Sequence, residues 1–310
     1  MPCLPRLLGA ILLLCPQQTH SWGFWAHKRI NYHAVLTLPA AMLVLYKPYL
    51  DLLTERATKA DQRRYAVAGE AARHYIDLEH YGEGVPERWQ QAQQRYGSKA
   101  LQQHGQLPWH IYRMMGWLTK AFREGDLTAI LHLSADLGHY VADAHVPLHT
   151  TANYDGQLTG QHGIHALWES RLPELFGQHY DYLVGKPRYL QAPLKAIWQV
   201  VRHAHQLAHT VLAVASALTE SFPAWQQYAM ERRGTQVRKM PSRAYAHAYH
   251  QALQGMVEGQ LRAAIHMVAS VWYTCWVNAG KPDLAPLTRQ HYHPPAPKGK
   301  PKAEAALPCR

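Results

Sequence analysis

Cysteine is scarce in this chain. Its 310 residues include four, and Cys3 and Cys15 fall in an amino-terminal segment that reads as a signal to be removed. Cys275 and Cys309 remain, too few for a disulfide framework, and they are expected to be a free pair. Acidic residues are outnumbered: 21 Asp and Glu face 32 Lys and Arg, for a net charge of +11. That balance suits an anionic substrate or membrane surface. After the first residues no stretch is long and uncharged enough to span a bilayer, so no transmembrane segment is expected. No run alternates with a period of two, and no internal repeat is found. Strands are therefore not expected.

What is present fits one large all-α domain. Apolar residues make up 47% of the chain, enough for a sizeable core. Residues 1–21 have Arg6, an apolar run from Leu7 to Leu14 and a polar segment, the layout of a secretory signal cleaved before Trp22. The protein is expected to be secreted or periplasmic. Residues 22–280 form the domain, and the Pro- and Lys-rich residues 281–310 a disordered basic tail. Helices are expected at Ile30–Leu38, Tyr49–Lys59, Asp61–Ala72 and Trp109–Arg123, and long ones over 189–218 and 242–277. The segment from Gly97 to Pro108 reads as a loop, and so does Asn153 to Gly163.

Histidine is abundant, at 22 residues, and most of these must be bystanders. One stretch stands apart: His139-Tyr-Val-Ala-Asp-Ala-His-Val-Pro-Leu-His149. His139 and Asp143 sit four apart, on one face of a helix. Pro147 stops that helix, and His149 lies just past the break. Downstream, His165 and Glu169 repeat the device. Imidazole and carboxylate ligands without cysteine favour zinc. His145, at the helix end, is expected to be a cation against the dipole. His162 is expected to be exposed, and His203, His205 and His209 simply line a later helix.

With these residues, Trp22, His27, Asp61 and His74-Tyr-Ile-Asp77 complete an ordered set. The set resembles the three-zinc phosphodiesterases, which comprise the single-strand nucleases S-one and P-one and the bacterial zinc-dependent phospholipases C. The resemblance covers Trp22 to about residue 176. It implies the all-α fold of that superfamily and three zinc ions. One would take Asp61, His74, His139 and Asp143; a second His149, His165 and Glu169; a third His27, Asp143 and the free amine and carbonyl oxygen of Trp22. It also implies hydrolysis of a phosphodiester by a metal-activated hydroxide. Asp61 would serve as a base, Arg64 would contact the phosphate, and Tyr75 and Asp77 would hold the substrate by stacking and hydrogen bonding.

Within that class Arg64 leans toward the nucleases and Glu169 toward the phospholipases. Nucleic acid or nucleotide is the first expectation and phospholipid the alternative; no protein partner is implied. Two rivals remain: a secreted zinc-binding protein without catalysis, and a basic surface-binding module acting through the tail.

Overall fold

The structure, a computed structural model, describes residues 23–292; the signal segment and Trp22 lie outside them. The architecture is all-α apart from one hairpin. Its centre is the helix Leu127–Asp143, in which every residue from Ser134 to Asp143 is buried. A helix buried all round must be apolar all round or partnered at each polar position. Here Phe24–Leu36, Leu50–Arg56, Leu107–Glu124 and Met256–Asn278 surround it. Asp126 starts it by accepting the backbone N–H of Ala129, as an N-cap should. Buried Trp272 donates to the carbonyl of Ser134, and the Ser134 hydroxyl meets Tyr46 Oη.

Gly138 permits a close approach between helices. A Cβ there would lie 2.1 Å from Asn31 Oδ1. Asn31 is fully buried and donates to the carbonyls of Leu53 and Ala135, tying three helices together. Alanine normally favours a helix over glycine by ~1 kcal/mol. At this position the clash should win, and Gly138→Ala is expected to destabilise the fold by about 1–3 kcal/mol in urea unfolding. A stabilised variant would show that the Asn31 contact yields freely.

Several elements differ from the sequence expectation, each for a physical reason. Residues Tyr228–Arg233 and Gln236–Pro241 form an antiparallel hairpin, although no strand was expected. Its two-residue loop begins at Gly234, with φ +61°, the position where a primed turn requires glycine. The Asp61–Ala72 helix is shorter than expected: Lys59–Arg63 is helical and Ala71–Arg73 is a 3₁₀ turn, with an irregular stretch between. The expected loop from Gly97 belongs largely to the helix Trp89–His104, kinked where Gly97 takes φ +75°. The 242–277 helix is split into Arg243–Ala252 and Met256–Asn278 by Gln254 and Gly255, both at positive φ. The expected tail begins too early. Residues Ala285–Arg289 form a 3₁₀ turn because Leu284 and Leu287 are buried against the body.

Candidate metal centre

The polar residues of the central helix converge at its carboxyl end. His139 and Asp143 are fully buried there. The helix ends at Asp143, and Pro147 opens a 3₁₀ turn, Pro147–Thr150, that carries His149 back beside them. His205, on the helix Pro193–Ser221, holds this turn through a 2.8 Å hydrogen bond to the Thr150 carbonyl. His27 arrives on the first helix, Asp61 on Lys59–Arg63, and His74 directly after the Ala71–Arg73 turn. His165 and Glu169 lie not on one regular helix but across a short α segment and a π turn, Leu167–Arg171. Such turns recur at functional sites. Asp155 caps the segment, accepting the N–H groups of Gly163 and His165, so the Asn153–Gly163 loop is tied to the site.

The donors fall into three groups: Asp61, His74 and His139; His27, His139 and Asp143; and His149, His165 and Glu169. Asp143 links all three. Its Oδ2 lies 2.9 Å from His74 Nδ1 and 3.2 Å from His139 Nε2. Its Oδ1 lies 3.5 Å from His27 Nε2 and 3.4 Å from His149 Nδ1. Glu169 Oε2 lies 3.1 Å from His165 Nε2 and 3.4 Å from His149 Nε2. Donors ~2.0–2.1 Å from a tetrahedral centre stand about 3.3 Å apart. Most of these separations match that edge better than a hydrogen bond.

Electrostatics make the same point. Three carboxylates, Asp61, Asp143 and Glu169, are buried in one small volume. Burial works against the charge of Asp143, but His139 and His149 hold its carboxyl well below the usual range. Burial likewise opposes a charged His139, yet Asp143 and Asp61 lift it to about 9. Glu169 has too little positive charge near it, and burial pushes it up to about 8. Burial keeps His27 and His74 in their neutral, metal-binding form, so the cluster sets buried carboxylates beside lone-pair nitrogens, a combination that a cation completes. The donor set therefore fits zinc: imidazole and carboxylate, no thiolate, and ligand–ligand edges of the right length. Trp22 lies outside the described residues. Gly23 donates its N–H to the Glu169 carbonyl at 3.1 Å, and a Cβ on it would strike Ser170.

The surrounding partners were not legible in the sequence. His139 Nδ1 donates to the Ala57 carbonyl at 2.8 Å, which aims Nε2 at the cluster. Buried Glu70 accepts from Tyr140 and from Arg63 and Arg73, and lies 4.0 Å from His74 Nε2. An acid four residues before a histidine, Glu70 and His74, was the available signal. His145 is corrected: burial lowers it to about 4, and its Nδ1 donates to the Val141 carbonyl. It is neutral and not a cation at the helix end.

A cleft opens over the cluster, lined by Arg64, His74, Tyr75, Asp77, Leu148, His149, Thr151, Tyr154 and His165. The Arg64 side chain is only 12% exposed, with Nη1 3.9 Å from Asp61 Oδ1, so it is not a surface charge. Tyr75 is anchored by its hydroxyl to the Gln103 carbonyl. Tyr154 was not singled out in the sequence; it stands edge-on to His165.

No family model matches the chain, and no curated protein matches it. Among solved structures the chain is similar to the alpha-toxin of Clostridium perfringens, at 11% identity and a TM-score of 0.44, over 87% of this chain and 67% of the toxin chain.

Proposed function

We propose that this protein is a zinc-dependent hydrolase of phosphodiesters, with His27, Asp61, His74, His139, Asp143, His149, His165, Glu169 and the amino terminus at Trp22 as metal ligands. The observation that carries the reading is Asp143, one buried carboxylate facing donors from all three groups. These residues would hold zinc, which when bound would supply a Lewis acid and acidify a water toward pKa ~7. The chain's own residues do the rest. Burial works against the charge of Asp61, but His139 keeps its carboxyl below the usual range; ionised, it would accept a proton from the attacking water. Arg64 presents guanidinium donors to the phosphate oxygens. Tyr75, Tyr154 and Asp77 line the wall where the rest of the substrate lies.

The sequence leans to nucleic acid, a substrate that no comparison supports. The surface beside the site favours phospholipid. Directly paired residues of an antiparallel hairpin share a face. One face, with Glu231 and Arg233, is bolted to the Glu169 segment: Glu231 pairs with buried Arg171, and Arg233 with Glu174. The other carries Tyr228, Met230, Arg232, Val237 and Lys239. Tyr228, Met230 and Val237 are 47%, 67% and 56% exposed, and nearby Trp225 is 80% exposed. Apolar, aromatic and cationic side chains together, with no acid among those five, suit the interface of a lipid bilayer.

The test is purified processed protein assayed for zinc and for hydrolysis. About three zinc ions and head-group release from phosphatidylcholine vesicles are expected. Cleavage confined to single-stranded DNA, RNA or 3′-nucleotides would move the reading to the nuclease side; one zinc or none in active protein would defeat it. Met230→Asp should depress hydrolysis of vesicles while sparing a soluble short-chain phospholipid. Arg64→Ala should keep the zinc and lose ~10²–10³-fold in kcat, the usual cost of removing one donor to developing charge. An unchanged rate on every substrate would take Arg64 out of the chemistry.

A further inference from the structure

Beside the cluster, and outside it, stands a second group of donors: Asp77, His80 and His104, whose ligand atoms all lie within 4.8 Å of one another. We propose that this trio is an additional, exchangeable site for a divalent transition metal of the zinc class. Its backbone is built before any ion arrives. Asp77 N–H donates to the His104 carbonyl at 2.8 Å, and His80 N–H to the Asp77 carbonyl at 3.1 Å. Ile76 bridges Gly105, and Tyr81 donates its hydroxyl to the Gly105 carbonyl. Gly105 sits at φ +88°, where a Cβ would lie 2.1 Å from the Tyr75 carbonyl oxygen. The two chain segments therefore hold the three side chains in fixed register.

The side-chain geometry repeats that of the main cluster. Asp77 Oδ2 and His104 Nδ1 are 3.6 Å apart, close to the ligand–ligand edge of a bound cation and long for a hydrogen bond. The rings of His80 and His104 stack at 3.9 Å with 25° between planes. His27 and His139, in the main cluster, stack at 3.8 Å and 19°. Two imidazoles and a carboxylate suit zinc, cobalt or nickel more than magnesium or calcium. With three side-chain donors, His80 exposed and Asp77 buried, coordination is completed by solvent, so binding is weaker than in the enclosed cluster and the ion exchanges.

Asp77 also lines the cleft. A cation on the trio occupies the carboxylate that would otherwise meet the substrate, so metal beyond the needs of the cluster restrains turnover. This last consequence rests on the proposed hydrolase activity; the binding itself does not.

The experiment is equilibrium dialysis of the processed, zinc-loaded protein against rising zinc, with cobalt as a spectroscopic probe. One extra equivalent of lower affinity is expected. It should disappear in His80→Ala and in His104→Ala, while the tightly held zinc and the helical circular dichroism stay as they were. No extra equivalent, or one that survives both substitutions, overturns the site. If the extra equivalent is lost in both variants but no phosphodiester is hydrolysed, the trio stands and the hydrolase reading fails, so the two are separable. Relief of inhibition by excess zinc in His80→Ala would support the link to the cleft; equal inhibition in both proteins would remove it.

Discussion

Replacing Asp143 with Ala should abolish hydrolysis and strip more than one metal from the protein. The reason is its double use. Oδ2 faces His74 and His139, while Oδ1 faces His27 and His149. Among the described ligands only His139 meets as many neighbours, and it does so through the single nitrogen Nε2, because the Ala57 carbonyl holds Nδ1. Loss of an outer partner of a metal ligand already costs 10–100-fold in affinity or activity; loss of a shared ligand must exceed that. Histidines gathered around one acid would then face each other without it. Burial lowers His27 and lowers His74 to about 4, so these two rings fold as neutral groups. His139 would lose the largest contribution that lifts it. The variant should therefore stay helical, melt lower than the zinc-loaded parent, and resemble the chelated parent more than the loaded one. Asp143→Asn is the sharper control. It keeps the shape and one oxygen but removes the charge, and should also lose metal. Elemental analysis of both variants decides the matter. Full zinc content in Asp143→Asn would mean that the carboxylate is not a bridge.

The central pair of candidate donors was legible in the sequence because its spacing is local. His139 and Asp143, four apart on a buried helix, could only share a face. Pro147 placed the helix end near enough for His149 to return. What joins them to His27, Asp61 and His74 is tertiary, and only a resemblance to known proteins supplied it. The hairpin was missed for a different reason. Its strands read Tyr-Ala-Met-Glu-Arg-Arg and Gln-Val-Arg-Lys-Met-Pro, and charge on both faces hides the period-two signal. The Gly234-Thr235 turn was the cue. The Asp77, His80 and His104 trio was hidden by distance along the chain. Asp77 and His80 are neighbours on one helical turn, but His104 comes from the far end of the helix Trp89–His104, across a segment whose Gly97 read as a loop. Glu70 was not singled out; it lay within the expected Asp61–Ala72 helix. Its burial, and the arginines that neutralise it, exist only in the fold.

The remaining large effect is expected at the amino terminus. A Met or a tag left before Trp22 should cost one zinc of three and most of the activity, with the helical fold intact. Among the described residues His27, His139 and Asp143 form the least self-sufficient of the three groups, because His139 also faces Asp61 and His74. Under the proposed assignment the free amine of residue 22 completes it. A free α-amine has a pKa of ~7.7–8.0, so near neutrality a cation can displace its proton. A peptide nitrogen offers no lone pair for the purpose. Gly23, the first described residue, is held to the Glu169 carbonyl and lies against Ser170. The loss of one charge-stabilising cation is worth several kcal/mol, at least ~100-fold in rate. The other two groups use internal side chains alone and should keep their metal. The measurement is direct: zinc content and rate for a cytosolic Met-Trp22 protein beside the exported, processed one. Equal zinc and equal rates would remove Trp22 from the ligand set and leave His27 and Asp143 to hold the third cation with solvent.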